Sequence, residues 1–137
     1  MKKFESNQDI TAEKKLLHDF CTYYKYEGTK LPQWEIDYLV HRQGKAIGFV
    51  EIKNYTSTFD KYDRGMLSLI KLNKMISSHK YLPTLLLMSW ACGTKGWIGL
   101  DDIKGEIKWG GRKPRDGSAN DMEFVIYFPK TSVLLFK

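Results

Sequence analysis

Residues 34–53, WEIDYLVHRQGKAIGFVEIK, decide the fold. Both halves of this stretch alternate apolar and polar side chains as half-buried strands do, and a short polar turn separates them. We therefore predict an antiparallel hairpin with an odd-length loop centred on Gly44, which puts Asp37 directly opposite Glu51. The same register gathers the even-numbered apolar side chains on one face, whereas a slip of one residue would mix the two faces.

Three side chains of this hairpin are predicted to converge. A strand repeats its direction every two residues, so Glu51 and Lys53 point the same way as Asp37. Carboxylates on adjacent strands can hold Mg²⁺, and the carbonyl of Ile52 can complete the ligand set. Such a metal polarises a phosphate, while a nearby lysine orients water, takes up a proton or stabilises negative charge. The alternative is a solvated sheet face with a cross-strand pair between Glu35 and Lys53.

The pattern Glu-x-Lys alone has little specificity, because the chain contains it at 13–15, 51–53 and 106–108. The first copy lies in a predicted helix, where residues two apart point in different directions. The last follows the preceding acidic residues too closely to leave room for a strand, a turn and a second strand. Context therefore selects the copy at 51–53.

The rest of the sequence predicts helices at 10–24 and 62–79. A break at 28–32 and a polar stretch at 54–61 separate these helices from the hairpin. After the second helix we predict a buried strand at 84–90, a short strand at 97–100, a mobile loop at 108–121 and final strands at 123–128 and 132–136. This order predicts an α/β fold in which a mixed β-sheet is flanked by two main helices and extended by extra C-terminal strands. We expect one domain over residues 1–137, with a core at about 10–90 and an elaboration at 97–137.

Composition limits the function classes. The chain has 137 residues, a formal net charge of +6 and two cysteines without metal-binding spacing. We expect reduced, buried thiols, no structural zinc and an anionic partner. No signal peptide or membrane-length apolar run is visible, so we expect a cytoplasmic protein in a bacterial cell or a phage-infected host. The cations predicted to bind nucleic acid are Lys61, Arg64, Lys71 and Lys74 near the second helix and Arg112, Lys113 and Arg115 in the loop.

Asp37, followed by Glu51-Ile52-Lys53 at the end of an apolar strand, resembles the PD-(D/E)XK nuclease superfamily. The resemblance implies a restriction-endonuclease-like core of helix, three-stranded meander, helix and strand. It also implies Mg²⁺-dependent cleavage of DNA, with Mn²⁺ as a substitute. Pro32 does not directly precede Asp37, which departs from the motif. Some members use an acidic residue of the first helix, for which Glu13 is the candidate; the alternative is a carboxylate favoured by the helix dipole.

The functional hypothesis is a metal-dependent DNA endonuclease with Asp37, Glu51, Lys53 and Glu13 in the catalytic set. Its size favours a structure-selective enzyme, such as a junction resolvase acting on branched DNA in recombination, repair or phage DNA processing, and such enzymes work as homodimers. Two alternatives stay open. An inactive nuclease-fold protein would bind nucleic acid without cutting it, and a phage or host interaction factor would show no affinity for nucleic acid at moderate salt.

Overall fold

The computed structural model describes residues 7–32, 36–110 and 122–137. The helices are α1 (Asn7–Tyr24) and α2 (Leu69–His79). The strands are β1 (Glu27–Lys30), β2 (Tyr38–Arg42), β3 (Lys45–Asn54), β4 (Arg64–Ser68), β5 (Thr84–Ser89), β6 (Lys95–Gly99), β7 (Glu106–Gly110), β8 (Glu123–Pro129) and β9 (Leu134–Phe136). Short 3₁₀ turns occupy Leu100–Asp102 and Lys130–Ser132.

The strands form two sheets. The larger has the order β1-β2-β3-β5-β6-β9, and the smaller has the order β4-β8-β7. Strands β3 and β5 are parallel, and the other pairs are antiparallel. The predicted α/β fold is confirmed, because a mixed sheet, two helices and extra C-terminal strands are all present. Strands β1, β2 and β3 make the expected meander, and β5 returns beside β3.

The predicted register at the centre of the hairpin is confirmed, although the chain reaches it differently. Tyr38 pairs with Val50, and the next residue outward on each strand brings Asp37 opposite Glu51. The loop is not odd in length. Gln43 and Gly44 have positive φ angles of 52° and 77°, as a two-residue hairpin turn requires. A bulge between Val40 and His41 then shifts the register by one residue.

That bulge preserves the site. If the pairing of Arg42 with Lys45 ran on without interruption, Asp37 would meet Val50 instead of Glu51. The extra residue is Ile47, because Val40 pairs with Gly48 whereas His41 pairs with Ala46. Regular pairing beyond the bulge keeps Tyr38, Val40, Val50 and Ile52 on one buried apolar face, which stabilises this register.

Apolar burial divides the molecule into two layers around the larger sheet. On one face, Leu16, Leu17 and Phe20 of α1 pack against the even-numbered side chains of β2 and β3. On the other face, α2 and the smaller sheet supply Met75, Leu67, Ile126 and Phe128. Strand β5 contributes Leu87 to the first layer and Leu86 and Met88 to the second, so it is buried on both faces as predicted.

The predicted start of the second helix is wrong. Residues 64–68 form β4, and α2 begins at Leu69 after Ser68, whose hydroxyl oxygen accepts a hydrogen bond from Lys71 N at 3.1 Å. Gly65 suits the strand because a Cβ there would lie 2.4 Å from the ring of Phe128. In α2 itself Met75 is buried, whereas Ile70 and Ile76 are 70% and 46% exposed.

The predicted end of the first helix is confirmed, because α1 ends at Tyr24, and Glu27–Lys30 then form the exposed edge strand of the meander, paired with β2. One prediction of a loop is wrong. Residues 108–110 were expected in a loop but belong to β7, which pairs with β8. Both short strands contain glycine or lysine, and pairing with a neighbour distant in sequence outweighs their weak strand propensity. The rest of the predicted loop, 111–121, lies outside the described residues.

Two smaller observations complete the comparison with the sequence. Cys21 is a buried free thiol as expected, whereas Cys92 is exposed, so the prediction of two buried thiols is half wrong. Within residues 7–32, 36–110 and 122–137, neither helix combines the length and apolar character needed to cross a membrane.

Candidate active site

Asp37 and Glu51 are held by each other's strands. The backbone N–H of Asp37 donates to Glu51 Oε1 over 3.3 Å, and the N–H of Ile52 donates to Asp37 Oδ2 over 2.9 Å. This exchange anchors one oxygen of each carboxylate to the backbone of the opposite strand. The sheet register therefore orients both carboxylates, and Asp37 Oδ1 and Glu51 Oε2 are the oxygens that face neighbouring lysines.

Two lysines of α2 meet Glu51. Lys71 Nζ lies 3.8 Å and Lys74 Nζ 3.7 Å from Glu51 Oε2. Lys71 also donates a hydrogen bond of 3.2 Å to the carbonyl oxygen of Ile52. Residues three apart share one face of a helix, and this face of α2 packs over β3. The packing of α2 over β3 thus brings both ammonium groups next to Glu51.

A third lysine joins Glu13 to the site. Lys30 Nζ, from β1, lies 3.7 Å from Asp37 Oδ1 and 3.5 Å from Glu13 Oε1. Glu13 belongs to α1, which packs on the opposite face of the larger sheet from α2. Its link to Asp37 in the structure is the intervening ammonium of Lys30. The sequence indicates Glu13, but it does not indicate Lys30, because β1 has no clear strand pattern.

Burial makes Glu51 a poor host for an isolated negative charge. Its side chain is 1% exposed. Burial, and after it the charge of Asp37, raises the pKa of Glu51 to about 7 against the opposing effects of Lys71, Lys74 and the Asp37 N–H. Two lysines therefore compensate its charge incompletely. A carboxylate in this condition is stabilised by additional positive charge beside it.

The donor set fits a hard divalent cation. Asp37 and Glu51 supply carboxylate oxygens, and Lys71 Nζ contacts both Glu51 Oε2 and the carbonyl oxygen of Ile52. The positive charge at these two acceptors is the ammonium group of Lys71. Among the side chains that the structure describes, no group of three or more His, Cys, Asp or Glu could hold a metal. The candidate set is thus two carboxylates plus a main-chain carbonyl.

Lys53 lies two residues along β3 from Glu51, as the Glu-x-Lys motif requires. Its Nζ is 5.6 Å from the ring centroid of Tyr55. Tyr55 is itself fixed, because its hydroxyl donates to Met66 O over 2.9 Å and its ring stacks on Trp90. Lys53 is therefore placed beside a rigid aromatic ring. Its catalytic role stays a prediction.

The predicted nucleic-acid contacts divide into three groups. Lys71 and Lys74 lie at Glu51 rather than on the outer face of the helix. Lys61 is exposed beside Tyr62, and Arg64 pairs with Glu106 on the smaller sheet. The remaining candidates, Arg112, Lys113 and Arg115, lie outside the described residues. Contact of any of these side chains with nucleic acid stays a prediction.

The fold is restriction-endonuclease-like, and Asp37, Glu51 and Lys53 are the residues on which the resemblance to PD-(D/E)XK nucleases is based. A family model described as "Phage putative PDDEXK endonuclease" matches residues 1–135. The chain belongs to this family, so the resemblance inferred from residues 34–53 is confirmed and the protein is of nuclease type. Comparison with curated proteins finds no match, and comparison with solved structures also finds none.

Proposed function

We propose that the chain is a metal-dependent DNA endonuclease whose Mg²⁺ is held by Asp37, Glu51 and the carbonyl of Ile52. Mn²⁺ has similar ligand preferences and is expected to substitute. The observation that carries the proposal is the reciprocal hydrogen bonding of Asp37 and Glu51 across β2 and β3, which preorganises two carboxylates before any ligand arrives.

When bound, the metal supplies Lewis acidity toward a phosphate oxygen and favours ionisation of a bound water. The chain's own cations have separate tasks in this proposal. Lys30 and Lys74 attract the phosphate backbone toward the buried carboxylates. Lys53, on the same strand face as Glu51, orients the attacking water and stabilises negative charge developing on the phosphate.

We further propose branched DNA, such as a recombination junction, as the substrate. Structure-selective enzymes recognise backbone shape through phosphates, and the lysines around Glu51 are suited to phosphates rather than to base edges. Cutting both strands of a junction requires two sites, so we propose a homodimer. The family is described as one of phage endonucleases, and we therefore propose that the enzyme acts in the cytoplasm of an infected host.

The test compares branched, linear double-stranded and single-stranded DNA with Mg²⁺, with Mn²⁺ and with a chelator. Lys53→Met is the informative variant, and Lys108→Met is its matched control, because both lysines end an identical Glu-Ile-Lys tripeptide on a strand. We expect cleavage only with metal, fastest on branched DNA, with a loss of about a hundredfold in Lys53→Met and little change in Lys108→Met.

Three outcomes would contradict the proposal in different ways. DNA binding without cleavage under every metal condition would favour an inactive binding module. Absence of DNA affinity at moderate salt would favour an interaction factor. Equal losses of cleavage activity in Lys53→Met and Lys108→Met would still support an endonuclease, but they would contradict a specific catalytic role for Lys53.

A further inference from the structure

Lys71 differs from the other cations of the site in what it contacts. Its Nζ donates to the carbonyl oxygen of Ile52 at 3.2 Å and lies 3.8 Å from Glu51 Oε2. Those two oxygens are two of the three proposed metal ligands. Lys74 Nζ approaches Glu51 Oε2 to 3.7 Å, and no contact with the Ile52 carbonyl is described for it.

An ammonium and a divalent cation cannot share these acceptors without cost. Both are positive, both seek the same oxygen lone pairs, and their repulsion is strong in a buried site where water screens little. Lys71 can leave, because its side chain is about a third exposed and has a long flexible stem that reaches solvent.

We infer that Lys71 is a positioning residue that occupies the cation position of the metal-free site and is released when the metal binds. The inference rests on the proposed metal-binding function and adds an exchange to it. Before metal binding, Lys71 keeps the Glu51 carboxylate and the Ile52 carbonyl oriented and compensated. After release, its ammonium remains on α2 and is available to pair with a phosphate of bound DNA.

The exchange predicts that Lys71 opposes metal binding. Removing its charge vacates the shared acceptors, so Lys71→Met should bind metal more tightly than wild type. Lys74→Met is the matched control: it removes the same charge at nearly the same distance from Glu51 and leaves the Ile52 carbonyl contact in place. Lys71→Arg keeps a positive donor and should behave like wild type.

The experiment titrates Mn²⁺ and Mg²⁺ into the full chain by calorimetry and records thermal unfolding with and without metal. We expect the metal Kd to fall about tenfold in Lys71→Met and no more than about threefold in Lys74→Met. The rise in melting temperature on adding metal should be largest in Lys71→Met, because tighter binding stabilises the folded chain more. Lys71→Gln, which retains a donor without the charge, replaces Lys71→Met if that variant does not fold.

The outcomes separate the inference from the proposed function. Tight metal binding by wild type with an equal or weaker affinity in Lys71→Met and Lys71→Gln would overturn the exchange alone. Equal gains in Lys71→Met and Lys74→Met would also overturn it, because the effect would then be general charge. Absence of metal binding by wild type and all variants would overturn the metal site itself. A purely structural role would lower the melting temperature with and without metal and leave the Kd unchanged.

Discussion

The tripeptide Glu-Ile-Lys occurs twice on strands, at residues 51–53 of β3 and 106–108 of β7, in opposite environments. Glu51 is 1% exposed and faces Asp37 and two lysines of another element. Glu106 is 53% exposed and pairs with Lys108 of its own tripeptide at 2.9 Å and with Arg64 at 3.4 Å.

Electrostatics follows this difference. Burial raises the pKa of Glu51 to about 7, whereas the hydrogen bond from Lys108 and the nearby charges lower the pKa of Glu106. The exposed tripeptide compensates its own charges in water, while Glu51 of the buried one depends on two lysines of α2 and on the N–H of Asp37. Only at β3 does the sheet remove the tripeptide from solvent and set a second carboxylate opposite it.

The largest expected difference between the two tripeptides is catalytic. Glu51→Gln should reduce cleavage about a thousandfold, equivalent to about 4 kcal/mol in the activation free energy, because an amide cannot replace a metal-binding carboxylate. Glu106→Gln should change the rate less than about twofold. Single-turnover cleavage at saturating metal measures both. Comparable losses in the two variants would refute the assignment of the site to β3.

The central isoleucines test burial without touching charge. Ile52 is 3% exposed and packs under α1, whereas Ile107 is 55% exposed. Ile52→Ala should lower the free energy of unfolding by about 3 kcal/mol through lost burial and a residual cavity. Ile107→Ala should stay within about 0.5 kcal/mol of wild type in urea unfolding. A large loss for Ile107→Ala would show that β7 is covered in solution.

The pH dependence of stability should have opposite signs at the two glutamates. The folded pKa of Glu51 exceeds its ordinary value of 4.5, so ionisation destabilises the metal-free chain as pH rises from about 4.5 to about 7. Glu51→Gln removes this loss, which amounts to about 3 kcal/mol, and should be increasingly more stable than wild type toward pH 8. Urea unfolding in chelator measures the difference.

Glu106 provides the control for that titration. Its lowered pKa contributes stability above 4.5 that disappears as pH falls through its folded pKa. Glu106→Gln should therefore be slightly less stable than wild type at neutral pH and equal to it in acid. If Glu51→Gln instead loses stability as pH rises, Glu51 is better compensated by its lysines than its burial indicates.

The smallest effect concerns the exposed ion pairs of Glu106. Arg64→Met removes the 3.4 Å pair with Glu106 and should lower the melting temperature by less than about 3 °C, because exposed pairs contribute little. The difference should shrink further at 1 M salt, where the Debye length is about 3 Å. A salt-insensitive loss would point to packing of the Arg64 guanidinium over the ring of Tyr127, which lies 4.7 Å away.

Strict alternation explains why the hairpin register could be predicted from the sequence. The pairing of Asp37 with Glu51 depends on apolar side chains within twenty residues, and a wrong register would expose Val50 and Ile52. Strand β5 was equally clear, because a continuous apolar run buried on both faces has few alternatives. Local pattern and final packing agree at these places.

The helix α2 shows where such agreement ends. Residues 66–70 have helix-compatible apolar spacing, but 64–68 pair with β8, about sixty residues later, and only that distant partner reveals the strand. Ser68 is the available sequence signal, because serine is a preferred N-cap residue whose hydroxyl accepts a hydrogen bond from the N–H three residues later. The direction of Lys71 and Lys74 toward Glu51 depends on how α2 packs over β3, which local sequence does not reveal.

The bulge at Ile47 has a consequence for how this hairpin can vary. The pairing near the hairpin tip and the pairing near Asp37 are offset by one residue, and the extra residue Ile47 accommodates this offset. Deleting Ile47 would remove the bulge and still leave Asp37 opposite Glu51. The tip can thus gain or lose a residue by altering the bulge, so insertions and deletions there are decoupled from the chemistry a few residues away.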